Sequence, residues 1–454
     1  MSDGAGVNRP GAHRAMWLGT LAFTVCFAVW TIFSIIGIAI QQQLGLSGTQ
    51  FGLLIATPIL TGSLIRLFLG IWADQYGGRL VLTLVMLVGA AATWMLTWAS
   101  TYPGFLLAAL FVGIAGGSFS VGVTYVSQWF APEKQGTALG VFGAGNVGSA
   151  VTKLLAPLVM VAAGWMAVAK VWAIALAIAG VLFWFLAADD PKLAERRASG
   201  AKPMPFRKQI EPLANLQVWR FSLYYFFVFG GFVALALWLP RYLIGAYGLD
   251  VKTAGLIAAC YSIPASLFRI VGGQLSDRIG ARRVMYWTFG VSALCTFALS
   301  YPDTQYIVKG IDGEIRFGLA IGLVPFTVLV FVLGFFMSLG KAAVYKHIPV
   351  YYPQHVGSVG GVVGMIGGLG GFVLPIAFGV LGDLTNVWSS CFMLLFVLVA
   401  AALAWMHYAI RRLDLSRFPT LGAEHDLPEI TSAWAEERRA AGRRKSRATP
   451  PPRQ

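Results

Sequence analysis

The sequence predicts an all-α polytopic membrane protein of about twelve spanning helices, built as two pseudo-symmetric bundles of six. Three observations carry this reading. Hydrophobic residues make up 57% of the 454-residue chain and charged residues only 12%, roughly half the charge of a soluble domain. Apolar runs of about 18 residues or more recur along its length, each enough to cross a hydrocarbon core of about 30 Å. The runs are continuously apolar rather than alternating, which excludes a transmembrane β-barrel. Finally, one local pattern occurs twice, once in each half of the chain.

That pattern is an arginine inside an apolar helix. Arg66 lies in Ser63-Leu64-Ile65-Arg66-Leu67-Phe68-Leu69-Gly70 and Arg269 in Ser266-Leu267-Phe268-Arg269-Ile270-Val271-Gly272-Gly273. An Asp follows each eight residues on (Asp74, Asp277), then a Gly (Gly77, Gly280) and an Arg (Arg79, Arg282). With the two Asp marking one membrane border, a rise of about 1.5 Å per residue puts both arginines roughly 12 Å inside it. A guanidinium at that depth costs on the order of 3 kcal/mol even on a lenient insertion scale. No Asp or Glu lies within the apolar segments to pair with it. Matched positive charges without an internal partner predict a binding site for a small anion.

The elements follow in order. Residues 1–16 are polar and form a cytoplasmic N-terminal segment. The first apolar run, about 17–40, is too long for a signal-peptide core and lacks a small-residue cleavage site, so it reads as a retained span. Further spans fall at about 50–72, 80–99, 103–127, 135–162 and 166–188, closing a first bundle over 17–188. The polar stretch 189–215, with Asp189-Asp190-Pro191 and Arg196-Arg197, reads as a cytoplasmic linker. The second bundle, 216–408, holds spans at about 216–245, 252–273, 284–300, 318–340, 357–381 and 388–408. A basic tail, 409–454, carries Arg438-Arg439 and Arg443-Arg444-Lys445, suited to the anionic inner leaflet or to solvent.

Charge sets the orientation. The formal net charge is +15, and its positive residues concentrate in alternate loops, the linker and the tail. The opposite loops carry little beyond Arg241, Lys252, Lys309 and Arg316. The positive-inside bias therefore places both termini and the linker in the cytoplasm of a multi-pass protein of the inner membrane. It also accounts for the basicity without nucleic acid. The four cysteines stand singly in apolar segments, without metal-ligand spacing, and no metal or cofactor is expected.

A second repeat joins the fifth and eleventh spans. Gly136, Gly140 and Gly143 share their spacing with Gly357, Gly361 and Gly364, with Gly145 and Gly367 continuing the runs. Small residues let helix backbones approach, which predicts that these two helices slide past one another during alternating access. Two repeated halves with a site at their interface near the midplane are the architecture of many secondary transporters.

The motifs Gly70-x-x-x-Asp74-x-x-Gly77-Gly78-Arg79 and Gly273-x-x-x-Asp277-Arg278-x-Gly280-x-Arg282-Arg283 resemble the cytoplasmic loop motif of the major facilitator superfamily. The resemblance implies that Asp74 and Asp277 cap the following helices and pair with basic residues such as Arg79 and Arg282. The stretches Gly116-Gly117-Ser118-Phe119, Tyr125-Val126-Ser127-Gln128-Trp129-Phe130, the run from Gly136 to Gly148, Gly340-Lys341-Ala342-Ala343-Val344-Tyr345-Lys346 and the run from Gly357 to Gly371 are similar to the nitrate/nitrite porter family within that superfamily. The likeness covers about 17–408. It implies a twelve-helix major facilitator fold in which Arg66 and Arg269 hold nitrate between the halves. Asn146 and Phe119 line the site, with aromatics of the seventh span. Tyr225, Phe226 and Phe229 are the candidates there, and the sequence does not fix the register.

The chemistry agrees. Nitrate is planar, monovalent and weakly hydrated, and a guanidinium offers a planar fork of donors that a Lys cannot copy. Import of an anion opposes an inside-negative potential by about 2.3 kcal/mol per 100 mV, so it needs co-transported protons or exchange for an outgoing anion such as nitrite. The quoted Tyr125 and Lys341 stretches resemble the proton-symporting branch, and exchange stands as the alternative. Lys153 and Lys341, in spans without a carboxylate partner, are the candidates for proton coupling, while Lys346 and His347 read as side chains reaching an interface. The expected partners are nitrate, nitrite and protons, with the bilayer as solvent and a monomer as the functional unit. An intramembrane enzyme would need carboxylates, a His pair or a nucleophile constellation, and none is visible. An anion channel is a weaker reading, since the repeated halves and loop motifs favour a carrier.

Overall fold

The computed structural model describes residues 10–130, 132–189, 215–351 and 356–417. Ten stretches within them are long and apolar enough to cross a membrane. The longest, Ala138–Leu186, is divided at Gly164, whose φ of 79° interrupts the helix. The 19-residue helix Ala281–Leu299 adds one more pass. The described chain thus makes twelve passes, six on each side of the linker.

In the first half, α1 (Ala12–Trp30) and α2 (Phe33–Leu44) form one broken pass. α3 (Gly48–Tyr76) follows, opened by a capping box between Ser47 and Gln50 that satisfies two orphan N–H groups. α4 (Gly78–Met95) is the third pass, and α5 (Tyr102–Val112) with α6 (Ser118–Ser127) the fourth, joined by a 3-10 turn over Gly113–Gly117. α7 (Pro132–Gly143) leads through a 3-10 turn, Ala144–Val147, into α8 (Gly148–Leu186), which holds the rest of the fifth pass and the sixth.

In the second half, α9 (Leu216–Tyr225), a π-helical segment (Phe226–Gly231) and α10 (Phe232–Tyr247) form the seventh pass. The eighth is α11 (Val251–Leu267) and α12 (Arg269–Ile279). Asp250 caps α11, and the Thr253 hydroxyl and backbone N–H it accepts hold its carboxyl below the usual carboxylate range. α13 (Ala281–Leu299), α14 (Leu323–Tyr351), α15 (Val356–Thr385) and α16 (Ser390–Arg417) complete the bundle.

The repeat seen in sequence is written into the backbone. Gly77 has φ 96°, ψ 141° and Gly280 has φ 89°, ψ 136°. Each ends the arginine-bearing pass and starts the next one with the same turn. Arg79 then anchors the first turn, donating to the Trp184 carbonyl at 2.7 and 3.0 Å and pairing with Asp189 at 3.3 Å. The side chains of Asp74 and Asp277 lie outside the described set, as do the surroundings of Gly136 and Gly357, the linker over 190–214 and the tail from 418.

Three expectations change. The segment 304–319 is a β-hairpin, β1 (Thr304–Lys309) against β2 (Glu314–Leu319), so the tenth pass starts at Leu323 and not near 318. Gly-Ile-Asp-Gly at 310–313 between β-branched runs is the turn signal that length alone overrode. The fifth and eleventh passes do not form the sliding pair. α7 and α8 pack on α1 and, across the halves, on α11 and α12, whereas α15 packs on α3 and the seventh pass. His347 does not reach an interface. It is buried, with its ring 5.3 Å from Phe221 and Nδ1 2.8 Å from the Ala343 carbonyl.

A side chain at φ near +90° and ψ near +140° is strained by about 1–3 kcal/mol. Gly77→Ala and Gly280→Ala are each expected to lower stability by that amount in thermal unfolding of the detergent-solubilised protein. Gly140→Ala, a helical position with open space beside it, is expected to be neutral or slightly stabilising.

Candidate functional site

The two halves meet most closely along α3 and α15, where glycines remove every obstacle. A Cβ at Gly52 would strike the Pro375 carbonyl, one at Gly379 the Gly48 carbonyl, and one at Gly368 the Ser63 hydroxyl. This approach brings the middle of α3, and with it Arg66, to the interface.

Arg66 is 6% exposed and enclosed by rings. Its Cζ lies 5.3 Å from the Trp30 centroid, 5.3 Å from Phe119 and 5.4 Å from Phe229. Nε donates to the Gly116 carbonyl at 3.3 Å and Nη1 to the Gly364 carbonyl at 3.4 Å, while Nη2 has no partner among the described residues. Trp30 is itself held by its indole N–H on the Pro58 carbonyl at 2.8 Å, in a slot that Gly62 and Gly116 keep open.

Arg269 is 7% exposed. It starts α12 directly after the break at Phe268, so it projects from the point where the eighth pass bends. Its Cζ lies 5.8 Å from Phe119 and 5.7 Å from Tyr345, and its Nη1 is also without a partner among the described residues. A Cβ at Gly143 would sit 3.2 Å from the guanidinium.

Each arginine therefore crosses the interface. Arg66, from the first half, meets Phe229 and Gly364 of the second. Arg269, from the second, meets Phe119 and Gly143 of the first. Phe119 faces both guanidiniums. Cation–π contacts of this kind contribute roughly 0.5–2 kcal/mol each when desolvated, which offsets part of the burial cost and leaves the charge intact. No carboxylate pairs with either arginine among the described residues. Unsatisfied polar atoms gather in the same layer. Ser63 Oγ is one of them, and both amide atoms of the fully buried Asn146, one turn beyond Gly143, are others.

The structure fixes the register of the seventh pass. Phe229 faces Arg66, and the Tyr225 ring stacks on Phe229 at 5.1 Å and 8° while meeting Tyr345 edge-on at 5.0 Å. Phe226 packs against Gly370 of α15. Trp30, Ser63 and Tyr345 join the site without having been singled out in the sequence. Tyr345 donates to the Gly360 carbonyl at 3.0 Å, which fixes its ring beside Arg269.

The glycine runs divide in use. Gly143 and Gly364 clear space for Arg269 and the Tyr345 hydroxyl, Gly367 for the Tyr225 ring, and Gly145 for Phe23. Gly140 and Gly361 have nothing within 4 Å, so close packing does not explain them. The two lysines lie near this layer. Lys341 Nζ donates to the Ala265 carbonyl at 2.6 Å and sits 3.6 Å from the Phe232 centroid. Lys153 Nζ donates to the Ser149 carbonyl at 3.0 Å, where α8 faces Gly255 of α11.

Comparison with known proteins agrees with this architecture. The Major Facilitator Superfamily matches residues 18–312. The probable nitrate/nitrite antiporter NarK1 of Thermus thermophilus is 44% identical over 420 residues, covering 89% of this chain and 93% of that protein. The nitrite extrusion protein of Bacillus subtilis is 28% identical, covering 88% and 95%. The probable nitrate transporter NarT of Staphylococcus aureus is 30% identical, covering 87% and 95%. Among solved structures, a bacterial homologue of the human lysosomal transporter Spinster, inward-facing and occupied, superposes with a TM-score of 0.68 at 15% identity, covering 89% of this chain and 98% of that one. At that identity the likeness is one of fold.

Because Gly143 borders Arg269, Gly143→Leu is expected to abolish transport while the protein still reaches the membrane. Gly361→Ala, in open space, is expected to leave it intact. Uptake and immunodetection of the same vesicles separate the two outcomes.

Proposed function

We propose that this chain, which belongs to the nitrate/nitrite porter family of the Major Facilitator Superfamily, carries nitrate across the cytoplasmic membrane by alternating access. It is a transporter and not an enzyme. The observation that carries the substrate reading is the pair of buried guanidiniums, one from each half, with free N–H groups and no paired carboxylate among the described residues. A small anion bound between them supplies the missing charge and accepts those donors. Its planar shape suits the aromatic faces of Phe119 and Phe229. The anion also ties the two halves together, so binding and the rocking of the bundles are linked through the same atoms.

Proton symport is the first reading of the coupling. Lys153 and Lys341 are fully buried and donate to backbone carbonyls. A buried amine without a carboxylate can give up and regain a proton as its surroundings change. More than one proton per nitrate would turn the membrane potential from an obstacle into a driving force. A specific observation favours exchange as the second reading. With the anion gone, the two arginines face each other's half uncompensated, a poor species to carry through the membrane centre empty. The NarK1 relative is named an antiporter. By the positive-inside bias, the termini and linker face the cytoplasm.

Arg66→Lys and Arg269→Lys keep the charge and lose the fork. Each is expected to lower nitrate uptake by on the order of 10–100-fold, the worth of one or two charge-assisted hydrogen bonds. Wild-type uptake by either variant would remove that arginine from the site. Proteoliposomes under an imposed pH gradient, with and without internal nitrite, test the coupling. Uptake on the gradient alone, lost in Lys153→Ala or Lys341→Ala, is expected for symport. Uptake only with internal nitrite establishes exchange, and no uptake in either case rejects nitrate.

A further inference from the structure

At the face opposite the start of α1, the halves enclose a second cationic position that the central site does not use. Arg241 of α10 faces a cavity of about 220 Å³, with Trp238, Trp388, Asn386, Ser390 and Asp383 in its wall. Its Cζ lies 5.0 Å from Phe51, 5.0 Å from Trp238 and 5.1 Å from Trp388. Three rings surround the guanidinium carbon. Its one hydrogen bond among the described residues runs from Nε to Gln41 Oε1 at 2.9 Å. Both terminal nitrogens are thus uncommitted donors. Trp238 supplies another, since its buried indole N–H has no partner among the described residues.

The nearby carboxylate is already spent. Asp383 accepts from Gly48 N at 2.8 Å, Thr49 N at 2.7 Å and the Thr49 hydroxyl at 2.6 Å, sitting on the N-terminus of α3. Those donors and the positive end of the helix compensate part of its charge; its field still reaches Arg241, but it takes no hydrogen bond from Arg241 among the described residues. What remains is a preoriented guanidinium fork and an unpaired N–H on the wall of a small chamber. A water occupies about 30 Å³ in the liquid, so the chamber holds a small ion together with several waters.

We infer that Arg241 and Trp238 form a second anion station, which takes a planar monovalent oxyanion from the face opposite the start of α1 before the halves open to the central pair. This rests on the reading of the central site as a nitrate site. The station has a mechanical consequence. Arg241 touches the first half through Gln41 and Phe51, so an anion on its terminal nitrogens draws charge away from those contacts without displacing them and places substrate at the seam between the halves.

The test uses the full chain with sodium nitrate as the probe. The doubly substituted Arg66→Gln, Arg269→Gln protein, with its central site disabled and its thermal unfolding checked, is titrated by calorimetry. It is expected to keep one weak nitrate site, which adding Arg241→Gln removes. In otherwise wild-type proteoliposomes, Arg241→Gln is expected to raise KM for nitrate about tenfold from the Arg241 side and to leave KM from the opposite side unchanged. No nitrate bound by the doubly substituted protein overturns the station, as does a variant that changes rates equally from both sides, the mark of a strut. In those cases wild-type uptake stands and the central reading survives. Wild-type protein that neither binds nor carries nitrate rejects that reading instead.

Discussion

Two guanidiniums held in the interior of the bundles, without a counter-charge among the described residues, are the constraint around which this molecule is arranged. Left alone, each costs several kcal/mol. The structure lowers that cost without cancelling the charge. Trp30, Phe119, Phe229 and Tyr345 turn their π faces to the arginines, and the Gly116 and Gly364 carbonyls take two N–H groups of Arg66. A carboxylate would have been a stronger partner, but it would have filled the site. Faces and carbonyls leave donor atoms free, so the remaining deficit is what a substrate anion relieves. The same logic explains the glycines. A side chain at Gly143 or Gly368 would occupy the space beside a guanidinium, and the charge would then be buried with nothing able to reach it.

The crossing of the arginines makes the deficit a property of the interface rather than of either bundle. Neither half alone encloses its own arginine. The halves are not copies in detail, however. α3 runs unbroken through Arg66, whereas the eighth pass breaks just before Arg269. The break falls at Phe268, whose ψ of 3° interrupts the helix while its N–H still donates to the Pro264 carbonyl at 3.3 Å. Beside the break, the Ala265 carbonyl accepts from Lys341 Nζ, so a third basic side chain is anchored on the same pass as Arg269.

Much of this was legible in the sequence because it is governed by composition and spacing. Continuous apolar runs give passes whatever the neighbours are. The turn at Gly77 and Gly280 followed from a repeated interval, and both adopt one conformation. Other features depend on pairing between distant segments, which spacing does not encode. Trp30 reaches Arg66 only because Gly62 and Gly116, on two other passes, leave it a slot. The glycine runs of the fifth and eleventh passes match in sequence, yet their partners are the eighth and second passes. A repeat specifies that two helices occupy equivalent places, and equivalent places under a two-fold relation need not touch. The hairpin at 304–319 was missed for a different reason. Its exposed side includes Ile307, Ile311, Ile315 and Phe317, so apolar content masqueraded as the edge of a span.

The closure opposite the start of α1 follows the reverse principle from the central site. There the carboxylate is met by a fixed protein group, Asp383 by the N-terminus of α3, while Arg241 is held by three rings and by Gln41 on its Nε, with its terminal nitrogens left free among the described residues. Asp383 joins α15 of one half to α3 of the other without a cationic side chain, through a helix end that exists only while α3 is intact. Such a bond is directional and lost completely once the ends part, since a helix dipole acts over little more than its terminal turn. It therefore behaves as a contact with two states, made or broken. The central pair is different, because its attraction for an anion persists over the distance that the halves move. A short-range latch at the mouth and a longer-range charge at the centre are the combination alternating access requires: one gives a closed state, and the other keeps the substrate in place while that state is exchanged.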